Sequence, residues 1–183
     1  MAVLLDGSTS FLPWIDEAQL VVTRFLARNS VNGTAQVYIY RIDRAPKLIE
    51  VVKQFDFVQK ETKDLIAQIK NPDNAPGTDI IGAIELAKVK LSQAGNGPKH
   101  MLVFTDGLVY APKVNGARLP YVSLDQYDWS KLAGIQTKFY FLETEPYKVL
   151  AAKALPVLPS LGLHEAPEGA DPKEILAALE DLR

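Results

Sequence analysis

Apolar positions along the chain switch repeatedly between an unbroken run and a helical period. Residues 2–5 (AVLL) are apolar without interruption, the pattern of a short strand buried on both faces. From about Leu12 to Ala27, the residues Ile15, Ala18, Val22, Phe25 and Leu26 form one apolar stripe. Pro13 suits the first turn of that helix, and Asp16 and Glu17 sit near its positive end. Residues 35–42 (AQVYIYRI) and 48–55 (LIEVVKQF) read as strands two and three. The "DRAPK" between them is too short for a parallel crossover, so these two strands pair antiparallel. "KETKDLIAQI" reads as a second helix, broken by "NPDNAPG". A third runs from Asp79 to about Ala94 with Ile80, Ile84, Ala87 and Leu91 on one side. Residues 101–105 (MLVFT) predict strand four, Leu124–Leu132 a short helix, and 137–142 (TKFYFL) strand five. "YKVLAAKAL" predicts a further helix, 160–163 a last short strand and 172–182 a closing helix. The stretch 156–172 holds four prolines and reads as surface loop.

Strands alternating with helices predict a three-layer α/β fold, with helices on both faces of a mostly parallel six-stranded sheet. The common doubly wound order is 3-2-1-4-5-6, here with strand three as an antiparallel edge. No repeat or composition shift divides the chain, so residues 1–183 read as a single domain. In that order strands one and four are neighbours at the topological switch point, where ligands bind outside the carboxyl ends of strands. Strand one ends in Asp6 and strand four, "MLVFTDG", ends in Asp106. The loop "APGTDII" brings Thr78 to the same edge. Ser8 and Ser10 follow Asp6 at alternate positions, so the three can face one side.

Composition narrows the chemistry. A formal net charge of −2 leaves no excess of cations for nucleic acid or an acidic membrane. The absence of cysteine removes disulfides, zinc–thiolate sites and thiol nucleophiles. No apolar run is long enough to span a bilayer, and the start lacks a leader pattern, which predicts a cytoplasmic protein. Asn32-Gly33-Thr34 then reads as a turn rather than a glycosylation site. Asp6, Ser8, Ser10, Thr78 and Asp106 together present only oxygen donors, the set that hard divalent cations prefer. Two carboxylates balance a doubly charged ion, and a coordination position left open would accept a carboxylate from outside.

The motifs that carry these residues resemble those of von Willebrand factor A (vWA) domains. "DGSTS" is similar to the family's D-x-S-x-S, "PGTDI" to its threonine loop and "VFTDG" to its strand-four aspartate motif, in the family's order. The resemblance implies a Rossmann-like vWA fold with a metal-ion-dependent adhesion site, Mg²⁺ or Mn²⁺ being held by Asp6, Ser8, Ser10, Thr78 and Asp106. It also implies a binding module rather than an enzyme, engaging a partner protein's Asp or Glu, and intracellular relatives work beside AAA+ ATPases or in larger assemblies. Two rival readings accompany it. In one, the chain resembles a haloacid-dehalogenase-type phosphohydrolase with Asp6 as nucleophile, but Ser8 stands where that chemistry uses a second acid. In the other, the hydroxyls are helix caps on a metal-free scaffold. Nucleotide-binding glycine loops are absent.

Partner choice is expected from the rim of the site. The irregular stretch 108–123 carries Tyr110, Lys113, Arg118 and Tyr121, and tyrosine and arginine are the types enriched at interface hot spots. Asp79 is expected to cap the third helix, Trp14 and Trp129 to anchor the core, and His100 and His164 to take no part in chemistry, the latter in the C-terminal loop.

Overall fold

The computed structural model describes residues 1–18, 20–22, 36–52 and 76–166. Its strands are β1 (Ala2–Asp6), β2 (Val37–Ile42), β3 (Lys47–Val52), β4 (Lys99–Phe104), β5 (Lys113–Val114), β6 (Ala117–Arg118), β7 (Ile135–Leu142) and β8 (Gly162–Glu165). The helices are α1 (described residues 15–18 and 20–22), α2 (Ile80–Gln93) and α3 (Thr144–Lys153). Six of the strands form one sheet in the order β3-β2-β1-β4-β7-β8. The pairs β2-β1, β1-β4, β4-β7 and β7-β8 are parallel, and β2-β3 is antiparallel. This is the order and the direction that the alternating pattern and the short "DRAPK" link predict.

Alternation along the central strands splits the core between the two faces of the sheet. Ala2, Leu4, Tyr38, Tyr40, Ile42, Met101 and Val103 pack with Ile80, Ile84, Ala87 and Leu91 of α2. Val3, Leu5, Val37, Ile39, Leu102 and Phe104 pack with Phe11 and with Ile15, Ala18, Val21 and Val22 of α1. Every residue of β1 is buried, which is why its sequence reads as a continuous apolar run up to Asp6. Trp129 is buried and its Nε1–H donates to the Leu124 carbonyl at 3.0 Å, as expected of a core anchor.

Several boundaries differ from the sequence reading. The first helix opens as a 3₁₀ turn, Leu12–Trp14, with Pro13 in its first turn as expected. Only Trp129–Leu132 of the expected 124–132 helix is helical, again as a 3₁₀ turn, capped by Asp128. The last short strand, expected at 160–163, lies two residues later at Gly162–Glu165, and it takes His164, expected in the C-terminal loop, into the sheet, where its ring stacks on Tyr140 at 4.7 Å. The 60–69 and 172–182 helices, residues 23–27 and 53–55 of the first helix and third strand, and the Asn32 turn lie outside the described residues.

Near its end β7 carries a bulge. The β7–β8 register shifts between Phe139 and Leu142, and Phe141 adopts a left-handed φ of 68°. Tyr140 and Phe141 consequently both enter the α1-side core. Phe141 meets Phe11 edge-on at 5.8 Å, and Trp14 and Phe104 at 5.9 and 6.2 Å. A bulky residue in this backbone region costs on the order of 1–3 kcal/mol, and it persists because the surrounding aromatic packing outweighs it. Phe141→Ala is expected to lower the unfolding free energy by about 3–5 kcal/mol in urea titration. Phe141→Gly is expected to be no less stable than the alanine variant, since glycine adopts positive φ freely. A glycine variant clearly weaker than the alanine one would show that the backbone is not strained there.

Candidate functional site

The register of β1 on β4 builds the site. Leu5 pairs with Phe104, so Asp6 and Thr105 are the next facing residues and Asp106 follows one position on. Asp6 is fully buried. Its Oδ1 accepts the Ser8 N–H at 2.7 Å and its Oδ2 accepts the Thr105 hydroxyl at 2.6 Å. The first bond closes a tight turn after the strand, and the Oγ atoms of Ser8 and Ser10 come to 3.1 Å of each other. Asp106 is also fully buried. Its Oδ1 accepts the Leu108 N–H at 2.9 Å and its carbonyl accepts the Glu143 N–H at 2.9 Å, while Oδ2 is buried without a hydrogen-bond partner among the described residues. Gly107 turns the chain with a φ of +85°, and a Cβ there would lie 2.4 Å from Cβ of Pro146. Only glycine lets α3 approach the Asp106 loop this closely.

Thr78 reaches the same edge through its backbone. It is buried and exchanges two hydrogen bonds with Tyr110, at 2.9 and 3.3 Å, an isolated antiparallel bridge to the loop that leaves Asp106. Next to it the Asp79 N–H donates to the Asp43 carbonyl at 3.0 Å, and the Asp79 carboxylate caps α2 by accepting the Gly82 N–H at 2.8 Å, as expected. Asp43 in turn holds the buried Arg41, whose Nε donates to its Oδ2 at 2.6 Å. The Gly7 N–H donates to the Ile42 carbonyl at 2.9 Å, tying the β1 exit to the β2 exit. The loops that carry Asp6, Ser8, Ser10 and Asp106 therefore meet at one edge of the sheet, with Thr78 joined through its backbone to the loop that leaves Asp106. Tyr110 and Arg118 are exposed, whereas the Tyr121 hydroxyl donates to the Arg44 carbonyl at 2.5 Å and has an internal task.

Electrostatics single out Asp6. Burial pushes its carboxyl up to about 7, the negative charge of Asp106 pushes in the same direction, and the hydrogen bonds from Thr105 and Ser8 resist. Two buried carboxylates with one oxygen unpartnered form a site that calls for a proton or a cation. Oxygen donors, two negative charges and neighbouring hydroxyls fit a hard divalent ion. Among the described residues, no three of His, Cys, Asp and Glu gather into a metal cluster, so an ion here would depend on hydroxyls as well as the carboxylate pair.

Thr105 is the functional neighbour that sequence reasoning passed over. Its hydroxyl donates to Asp6 and accepts the Gly107 N–H at 3.0 Å, so one side chain orients the carboxylate and pins the Asp106 turn. The available clue was a polar residue closing an apolar strand directly beside the neighbouring strand's terminal acid.

The raised Asp6 carboxyl has a definite pH consequence. Between the ordinary aspartate value of 3.8 and about 7, the folded metal-free protein holds a proton that the unfolded chain has lost, so the Asp6 contribution to stability falls as pH rises through that window. Unfolding titrations at several pH values should show this slope in the wild type and lack it in Asp6→Asn. Thr105→Val removes a hydrogen bond to the ionised form, so carbon-detected NMR should find the Asp6 carboxyl raised further. An unmoved or lowered Asp6 titration would show that Thr105 does not hold it.

No protein-family model matches the sequence, and no curated protein matches it. Solved structures do. The pilus adhesin SpaC from Lactobacillus rhamnosus GG superposes with a TM-score of 0.63 at 15% identity over 99% of this chain. A von Willebrand factor type A protein from Catenulispora acidiphila gives 0.61 at 11% identity over 99%. The SpRpn10 VWA domain gives 0.62 at 12% identity over the whole chain. The chain spans 29% of the adhesin and 41% of the Catenulispora protein but 93% of the SpRpn10 domain. Taken with the sheet order and the one antiparallel edge, these likenesses show that the chain has the fold of von Willebrand factor A domains.

Proposed function

We propose that this protein is a divalent-metal-dependent protein-interaction module. One observation carries the reading: two buried carboxylates, Asp6 and Asp106, follow adjacent parallel strands at the switch point, and Asp106 Oδ2 lacks a hydrogen-bond partner among the described residues. Asp6, Ser8, Ser10, Thr78 and Asp106 would hold Mg²⁺ or Mn²⁺, some of them through water. The bound ion supplies an electrophilic centre that attracts a carboxylate from a partner protein. The chain's own groups prepare that centre. Ser8 N–H and Thr105 Oγ1 fix the Asp6 carboxylate, Leu108 N–H fixes that of Asp106, and the Thr78–Tyr110 bridge sets the wall between the ion and the rim. An adhesin and a VWA domain among the solved structures of this fold support an interaction module over an enzyme. The partner is read as another protein that presents an Asp or Glu, such as an AAA+ ATPase or a component of a larger assembly. No helix among the described residues is long and apolar enough to cross a membrane.

Isothermal titration with Mg²⁺ and Mn²⁺ should show one site in the wild type and none in Asp6→Ala or Asp106→Ala. Since the ion must displace the proton from Asp6, affinity should rise with pH below about 7, by up to about tenfold per unit, and level off above it. A wild type that binds neither ion at millimolar concentration would end the proposal.

A further inference from the structure

The stretch read from sequence as irregular loop contains a hairpin. β5 and β6 pair antiparallel, with Lys113 opposite Arg118 and Val114 opposite Ala117. Asn115 and Gly116 form the turn with φ values of 52° and 84°, both positive, as a tight two-residue hairpin turn requires. The Leu119 N–H donates to the Pro112 carbonyl at 3.0 Å, which closes the next pair. Lys113 and Arg118 thus form the pair without mutual backbone hydrogen bonds, in which side chains share a face and stand closest. Both are exposed, and among the described residues neither joins an ion pair.

Two like charges directly opposite each other destabilise a ribbon. Here they occupy one that has almost no apolar contact of its own, in a chain with fewer cations (20) than anions (22). The ribbon is nevertheless held firmly at its base. Tyr110 is bridged to Thr78 on one side, and the Tyr121 hydroxyl is bonded to the Arg44 carbonyl on the other. Tyr110 itself is 55% exposed at that base. A pair of exposed cations is therefore carried on a ribbon that springs from the loop leaving Asp106.

We infer that the Lys113–Arg118 pair is a docking element for an acidic segment of a partner protein, one of whose carboxylates enters the metal crevice. The inference rests on the metal-dependent reading for the second clause only. A nucleic acid is the lesser fit, because two cations supply few phosphate contacts and the net charge of the chain is −2.

The test uses a fluorescein-labelled hexaglutamate peptide, with anisotropy read in MgCl₂ and in EDTA. Lys113→Glu should weaken peptide binding by about tenfold or more, the effect expected of a charge at the centre of an interface. The same substitution replaces a repulsive cross-strand pair with an attractive one, so the variant should melt no lower than the wild type. Lys113→Ser with Arg118→Ser should also weaken binding while Mg²⁺ affinity is retained. Lys153→Glu, at the opposite end of α3, makes the same change in net charge and should bind as the wild type does. Asp6→Ala reports on the metal reading separately: if it leaves peptide binding intact while Lys113→Glu removes it, the hairpin stands and the metal does not take part. The proposal is overturned if the wild type does not bind the peptide, if Lys113→Glu binds normally, if Lys153→Glu is equally weakened, or if oligothymidylate binds more tightly than the peptide.

Discussion

Two carboxylates buried side by side at the ends of β1 and β4 set the terms for the rest of this structure. Desolvation and the neighbouring charge of Asp106 both oppose the ionisation of Asp6, whose carboxyl is pushed up to about 7. A fold retains such a pair only if the surrounding groups hold it in place. Here they do so with few atoms. Ser8 and Leu108 offer backbone N–H groups from the residues two positions after each acid, and Thr105 bridges the acid of one strand to the turn of the other. Among the described residues one oxygen, Asp106 Oδ2, remains without a hydrogen-bond partner.

The scaffold beneath the pair is arranged to keep it rigid. Phe11 follows the serine loop directly and Phe104 precedes Thr105, and both meet Phe141 in the α1-side core. The strained backbone of Phe141 is the local cost of placing three aromatic rings under the two site loops. The bulge also ends β7 so that the Glu143 N–H meets the Asp106 carbonyl, and the start of α3 packs close enough to exclude any side chain at position 107. The backbone at the site is thus determined from below by packing and from the side by a helix.

Laterally, a chain of backbone bonds joins the exits of three strands. Gly7 reaches Ile42, Asp79 reaches Asp43, and Thr78 reaches Tyr110. Each bond links a loop that carries a candidate ligand to a loop that faces the rim. The Lys113–Arg118 hairpin is an extension of the last of these loops.

The sequence by itself determined the layers, the strand order and the two strand-end acids, because these follow from hydrophobic period, link length and the position of polar residues after apolar runs. The unbroken AVLL of β1, the five-residue "DRAPK" link and the Asp79 cap were all legible in this way. The hairpin at Asn115-Gly116 was not read, because two-residue strands are too short to show alternation around the turn. Tertiary structure alone decided the rest. That Thr105 serves Asp6 depends on the register between strands 99 residues apart, and register is set by packing across the whole sheet. The left-handed Phe141 departs from local preference because three distant aromatic groups outweigh it. The partner of the Tyr121 hydroxyl, the Arg44 carbonyl 77 positions away, is likewise set by the fold alone. Local chemistry is written along the chain, but which groups face each other across it is fixed only when the core closes.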